Sequence, residues 1–348
     1  MVSVEDSLLE RDEHNPFLEP VEDDPFRSGV VFNAAAVKWD DGYLLLVRDQ
    51  GAPGKLFDGD ADLNDHVPEP EHLDRWNDYS RSRFERVVVA SDGHTVLERS
   101  EAPVMLPDSD FDYIGVEDPR ATLIPGSDEY AVLYTGLKHR DDPEDGFHYH
   151  ICLATTKDFH TFDKKGPVDI EGFEGVRNKD AFLFPEKVNG RYAMMHRPNT
   201  DLSMHVAYSD DLVHWDDAGI VMEMGTQEWE GEKIGANAPP IRTRHGWLVI
   251  YHGVDPEKNY RLGVAMLDAD TLECTWRYTE PILSPDMPYE AEGHPTLGVP
   301  NVVFSCGAVD AGDKIWIPYG GADTVMCSAW LDKEKVLELY ENDMGIGY

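Results

Sequence analysis

The chain has 348 residues, is 41% hydrophobic, and carries 68 Asp plus Glu against 30 Lys plus Arg, a formal net charge of −38. That length allows one large domain or two ordinary ones, with a sizeable core either way. No apolar run approaches the roughly 20 residues of a membrane span, and so acidic a surface repels nucleic acid and anionic membranes.

The charge balance resembles that of haloarchaeal cytosolic proteins. There molar salt shortens the Debye length to about 3 Å, and surface carboxylates stop repelling at range. It reports habitat more than activity, and it means that only cations in direct contact could hold an anionic ligand. The start, Met1-Val2-Ser3-Val4-Glu5-Asp6, lacks a basic region followed by an apolar one, so the expected location is cytoplasmic. A homo-oligomer is compatible with the composition. The four cysteines, Cys152, Cys274, Cys306 and Cys327, show no Cys-x-x-Cys or zinc-type spacing and read as buried thiols in apolar strands.

In chain order, residues 1–28 form an N-terminal extension in which Asn15-Pro16-Phe17-Leu18 is an extended segment suited to packing across a neighbouring face. A first unit then opens with polar Asn33, turns at Asp40-Asp41-Gly42 and continues as an apolar strand from Tyr43 to Arg48. A loop insertion over residues 50–79, rich in Gly, Pro, Asp and Glu, exceeds a usual connection. It reads equally as a lid offering Trp76 or Tyr79 to a sugar and as a solvated acidic loop; His66 and His72 within it carry no metal-binding pattern. The unit ends at Ala90-Ser91-Asp92-Gly93.

The same order recurs four more times. Polar openings at Glu117-Asp118, Lys179-Asp180, Asn237 and Asn301 precede turns and apolar strands at Tyr130–Thr135, Tyr192–Arg197, Trp247–Gly253 and Ile315–Gly321. Ala-turns follow at Ala154, Ala207, Ala265 and Ala329. A repeat on the order of 60 residues with several strands per unit is the signature of propeller blades, because one small sheet cannot bury both its faces alone. Only Asp332 to Glu341 shows helical spacing, through Val336, Leu337 and Tyr340. The expected fold is therefore all-β: a single five-bladed β-propeller over residues 1–348 with a short C-terminal helix. The first strand of each blade lines the channel, so the five polar openings converge at one mouth.

In the second opening, Ile114-Gly-Val-Glu-Asp-Pro-Arg120, Asp118 sits before a proline that favours an extended conformation for it. Glu117 and Arg120 pull its pKa in opposite directions, which suits a proton donor in a site without water. Alone, this stretch reads first as a solvated charge cluster at a turn. Arg48, Lys179, Arg197, Lys233 and His252 recur at channel-facing or upper-loop positions. Each alone reads as a salt-bridge partner; together, in so acidic a chain, they ask for an anion, and phosphate is the commonest small one.

The openings resemble glycoside hydrolase family 130, the mannoside phosphorylases and related β-mannosidases. The likeness runs through Val31-Phe32-Asn33-Ala34-Ala35, Val116-Glu117-Asp118-Pro119-Arg120, Asn178-Lys179-Asp180-Ala181-Phe182, Met195-His196-Arg197-Pro198, Tyr251-His252-Gly253, Pro300-Asn301-Val302-Val303-Phe304 and Tyr319-Gly320-Gly321-Ala322-Asp323-Thr324, from about residue 15 to 331. It implies an inverting reaction on β-1,2- or β-1,4-linked manno-oligosaccharides, with Asp118 as the proton donor acting through a mannosyl hydroxyl. Inorganic phosphate would be co-substrate, with no cofactor and no metal, and the products would be α-mannose 1-phosphate and a shortened acceptor. By position, the resemblance puts phosphate on Lys179, Arg197, Lys233 and His252, and the mannosyl unit on Asn33, Arg48, Arg83 and Asp323, with Tyr260 and Phe304 nearby. One departure is Lys179-Asp180, where some family phosphorylases have Arg followed by Asn; lysine keeps the charge and loses the fork.

The rival within the family is an inverting β-mannosidase, for which Glu228, Glu230 and Glu232 are the available carboxylates. A family 43-type arabinanase would need three separated channel carboxylates that do not stand out, and a non-catalytic carbohydrate-binding propeller would keep the aromatic and Asn contacts without turnover.

Overall fold

The computed structural model describes residues 7–52, 81–139, 147–225 and 227–346. Five antiparallel sheets follow one another along the chain. Blade one runs Val30–Trp39, Gly42–Gln50, Arg83–Val89 and Val96–Arg99, and blade two runs Gly115–Leu123, Tyr130–His139, Phe147–Thr156 and Asp163–Pro167. Blade three is Asn178–Leu183, Tyr192–Pro198, Met204–Ser209 and His214–Met222, joined at its outer edge by the parallel pair Asp169–Ile170. Blade four is built on Lys233–Ala236, Gly246–Val254, Tyr260–Leu267 and Cys274–Arg277, and blade five on Val303–Phe304, Lys314–Gly321 and Val325–Asp332. Hairpin turns carry the residues their backbone demands: Asn189 and Gly190, at φ 51° and 83°, form a two-residue connection that only such residues adopt readily.

The second strand of a blade is buried on both faces, which explains runs such as Leu44-Leu45-Leu46-Val47 in place of alternation. Each face packs on a neighbouring blade. One apolar cluster joins blades one and two around Leu46, Phe84, Val132 and Cys152, another joins two and three around Leu133, Leu153, Met194 and Trp215, and a third joins three and four around Phe184, Met195, Trp247 and Val249. Blades four and five share Ile250, Val264, Ile317 and Tyr319, and blades five and one share Trp316, Met326, Leu45 and Val87. Tyr43 stacks on Trp316 with centroids 4.2 Å apart across that last seam. Five inter-blade cores in cyclic order close the ring.

The N-terminal segment does more than pack across a face. After Asp332 the chain enters the helix Lys333–Met344, capped by Asp332 accepting from the Lys335 amide at 3.0 Å, so blade five has no outer strand of its own. Leu9–Arg11 supplies it, pairing antiparallel with Ala329–Leu331 and covering an edge that would otherwise be unpaired. Asn15 extends the seam through its side chain, which exchanges 2.8 Å hydrogen bonds with the Ser328 backbone. Sequence pattern missed this strand because three residues are too short to show a period.

Cys152, Cys306 and Cys327 are buried as expected; Cys274, on the outermost strand of blade four, is only half-buried, a correction that follows from its edge position. The insertion, with His66, His72, Trp76 and Tyr79, lies outside the described residues apart from its first positions. Among the described residues no helix is long and apolar enough to cross a membrane.

Candidate active site

The site rests on a backbone device repeated around the axis. In the inner strands of blades one, two and three the register slips between Phe32 and Ala34, Glu117 and Arg120, and Lys179 and Phe182. Each slip contains one residue with a left-handed backbone, Asn33 at φ 48°, Asp118 at 50°, where the following proline had pointed to an extended one, and Asp180 at 57°, and Asn301 ahead of the last inner strand is at 58°. A bulge re-aims a side chain that the pleat would turn into a sheet face, and Asn and Asp are the non-glycine residues that tolerate this conformation best. Such conformations cost roughly 1–3 kcal/mol each and persist where the surroundings impose them.

On one side of the axis stands Asp118, 4% exposed. Its Oδ1 accepts from Asn33 Nδ2 at 2.9 Å and from Arg48 at 3.1 Å, while Arg48 also donates to Glu117 Oε1 at 2.6 Å. No hydrogen bond from the described residues reaches Asp118 Oδ2. Burial pushes this carboxyl up, but Arg48, Lys179 and Arg120 together with the Asn33 hydrogen bond outweigh it and hold its pKa below the ordinary value. In the ligand-free protein Asp118 is therefore ionised. The acid-favouring environment falls on its neighbours: burial raises Glu117 despite Arg48, and burial, with Asp118 adding to it, raises Asp323 to about 7.

The other side is organised by Asp180. Its Oδ2 accepts from Arg197 Nε at 2.8 Å and lies 3.8 Å from His252 Nε2, and its Oδ1 lies 3.5 Å from Arg120. Arg120, almost fully buried, also donates to the carbonyls of Asp118, Ala236 and Asn237, tying three inner strands together. His252 is fixed through Nδ1 at 2.6 Å from Asn237 Oδ1, so that Nε2 presents a lone pair. Burial, and then Arg197 and Lys233, keep this imidazole neutral despite the pull of Asp180. Lys233 donates to the Tyr260 hydroxyl at 2.6 Å. Burial and the charges of Arg197 and Lys179 lower its pKa to about 8. Lys179 is held charged by Asp180 and Asp118 against its burial. Tyr260 and Phe304 wall the pocket, their rings 5.9 and 4.8 Å from that of His252.

The structure thus brings together Asn33, Arg48, Asp118, Lys179, Arg197, Lys233, His252, Tyr260, Phe304 and Asp323. Arg83 stands apart. It pairs with Asp49, one residue beyond Arg48, and so leaves the strand on the opposite face; its described contacts are the Phe26 ring and the Arg81 carbonyl. Sequence reasoning quoted Asp180 and Asn237 without a role. Their equivalence to Asp118 and Asn33 in the repeat is the signal that marks them as side chains aimed at the axis.

Of the glutamates that hydrolysis would call on, two are paired with cations and the third is exposed. Glu230 accepts from Tyr251 and Arg277 at 2.9 Å each, Glu232 from Lys258 at 2.9 Å, and Glu228 is exposed. The arrangement offers the Asp118 carboxylate, with one oxygen open, facing a nook of three cations and a neutral imidazole.

Comparison with known proteins identifies the family. The sequence model of glycoside hydrolase family 130, described as beta-1,4-mannooligosaccharide phosphorylase, matches residues 84–342. A 1,2-beta-oligomannan phosphorylase of Thermoanaerobacter sp. (strain X514) is 36% identical over 94% of this chain and 98% of its own length. A beta-1,2-mannobiose phosphorylase of the same organism is 38% identical over 94% and 98%. Among solved structures, the beta-1,2-mannobiose phosphorylase of Listeria innocua in complex with beta-1,2-mannobiose is similar at a TM-score of 0.77 and 28% identity, covering 96% of this chain and 99% of that one.

Proposed function

The chain belongs to glycoside hydrolase family 130, and from that premise we propose that it is an inverting β-mannoside phosphorylase acting on β-1,2-linked manno-oligosaccharides. The β-1,2 linkage rests on the two relatives that match nearly end to end at more than a third identity. The observation that carries phosphorolysis over hydrolysis is the nook of Lys179, Arg197, Lys233 and His252 facing Asp118, while Glu230 and Glu232 are paired with Arg277 and Lys258. Phosphate is already a nucleophile and needs only positioning on the face opposite the leaving group.

The ionised state of Asp118 in the free protein gives the reaction its order. Hydrogen phosphate settling beside Lys179 offsets the charge that keeps Asp118 ionised, so the carboxyl takes up a proton as the nucleophile arrives. A phosphate oxygen then bonds to C1 as the glycosidic C1–O bond breaks, inverting the anomeric centre. The Asp118 proton passes through a mannosyl hydroxyl to the departing oxygen. The proton still carried by the transferred phosphate is released to bulk water, so the cycle consumes none. Asn33, Arg48 and Asp323 surround the mannosyl unit, and Tyr260 and Phe304 give it an apolar wall.

The test is incubation with β-1,2- and β-1,4-mannobiose, with and without phosphate, in the molar KCl that the net charge of −38 calls for. Phosphate-dependent release of α-mannose 1-phosphate, faster from the β-1,2 substrate, is expected. Mannose release at equal rates with and without phosphate would overturn the reading.

A further inference from the structure

Behind the cation side of the site, on one face of blade three, lies a cluster that the chemistry above does not use. His196 and His205 oppose one another across two paired strands, and Asp217 projects from the third strand, where a register shift beside Gly219 at φ 96° brings it alongside. The three side chains converge: Asp217 Oδ1 is 3.2 Å from His196 Nε2 and 3.3 Å from His205 Nδ1, and all three ligand atoms lie within 4.8 Å of one another. Nitrogen and oxygen ligands about 2.0–2.2 Å from a tetrahedral zinc ion are separated from one another by about 3.3–3.6 Å.

Two further features distinguish the cluster from an ordinary hydrogen-bonded triad. His205 stands between two carboxylates, with Nε2 at 3.0 Å from Asp201 Oδ2, so a neutral ring would turn a lone pair on one of them. A positive charge is required there, as a proton or a metal. The outward nitrogen of each ring is also held, that of His205 by Asp201 and Nδ1 of His196 by the buried Asn178 amide, which has Nδ2 at 2.9 Å and Oδ1 at 3.3 Å. Turning that amide over lets Oδ1 accept the Nδ1 proton and frees Nε2 as a ligand, a reorientation that hydrogen-bond patterns alone leave open. Carboxylate and amide partners on the far nitrogens of metal-bound histidines are what such sites use to fix the tautomer. Phe173 packs edge-on against both rings at 5.5 and 5.4 Å.

We propose that His196, His205 and Asp217 bind a structural divalent metal of the zinc class, with a water completing the tetrahedron on the more open Asp217 side. The metal would clamp three strands of blade three directly behind the phosphate nook, since His196 precedes Arg197 and Asn178 precedes Lys179.

The probe is Co2+, whose visible absorption reports tetrahedral coordination, titrated into chelator-treated protein in excess Mg2+ to saturate surface carboxylates. About one Co2+ per chain with a tetrahedral spectrum is expected, displaced by Zn2+, and Zn2+ should raise Tm by several degrees at a hundredfold excess over its Kd, reversibly with chelator. His205→Gln and Asp217→Asn should abolish the spectrum. His14→Ala, which disrupts the more exposed Asp12, His14 and His94 group, should leave it unchanged. No tetrahedral Co2+ in the wild type, or a spectrum unaffected by the two blade-three variants, overturns the proposal. Should those variants fail to fold, X-ray absorption of the Zn2+-loaded wild type decides: two imidazole nitrogens in the first shell support the site, and an all-oxygen shell sinks it.

Discussion

Asp118 and Asp180 occupy equivalent positions in consecutive blades, on the same kind of bulge, with backbones at φ 50° and 57° and exposures of 4% and 1%. Both are held ionised by buried arginines, yet their duties differ. Asp180 has a cation against each oxygen and is spent as an anchor. Asp118 has both its hydrogen bonds on Oδ1, and the arginine that supplies one of them is shared with Glu117. The backbone device aims a carboxylate at the axis, and how many of its oxygens are already paired decides whether that carboxylate holds the site or reacts in it.

The contrast is sharpest under one isosteric change at each position. Asp118→Asn should lower kcat about 10²–10⁴-fold, the range for loss of a positioned general acid, with Tm nearly unchanged because Arg48 retains Glu117. Initial rates of α-mannose 1-phosphate release alongside a thermal melt measure both. Asp180→Asn should do the reverse in kind. Two buried arginines lose their carboxylate, a loss of about 3–5 kcal/mol, and Tm falls by several degrees while the phosphate KM rises as Arg197 loses its support. If the two variants gave the same pattern, the division of labour would be wrong.

The pH dependence probes the same two sides more gently. Lys233, with its pKa lowered to about 8, is charged below that pH and neutral above it. Phosphate KM should therefore climb about tenfold for each unit beyond pH 8, and Lys233→Arg should flatten that limb. On the acid side, Asp323 is protonated below about pH 7 and ionised above it. A modest inflection in kcat/KM near that pH should vanish in Asp323→Asn, with a change of a few-fold.

Much of this was legible in the chain. The five Ala-turns and apolar strands gave the blades, the helix after Asp332 was found within a few residues of Lys333–Met344, and the polar openings supply Asn33, Asp118, Lys179, Asp180 and Asn237, while Arg48, Arg197 and His252 come from the ends of the apolar strands. The role of Asp180 was hidden because an aspartate beside a lysine reads as a local pair, whereas its partners Arg120 and Arg197 come from two different blades.

The repeat, the positions of polar residues within it, and the excess of acid over base are properties of sequence order and composition, and they determined the architecture and the type of ligand the site would take. The ionisation of Asp118, the neutrality of His252 and the lowered pKa of Lys233 depend on burial and on charges from other blades within a few ångströms. Closure of the ring by Leu9–Arg11 joins segments more than three hundred residues apart. Distances of that kind exist only once the chain has folded, because electrostatic and hydrogen-bond energies fall off with separation in space and are blind to separation along the chain.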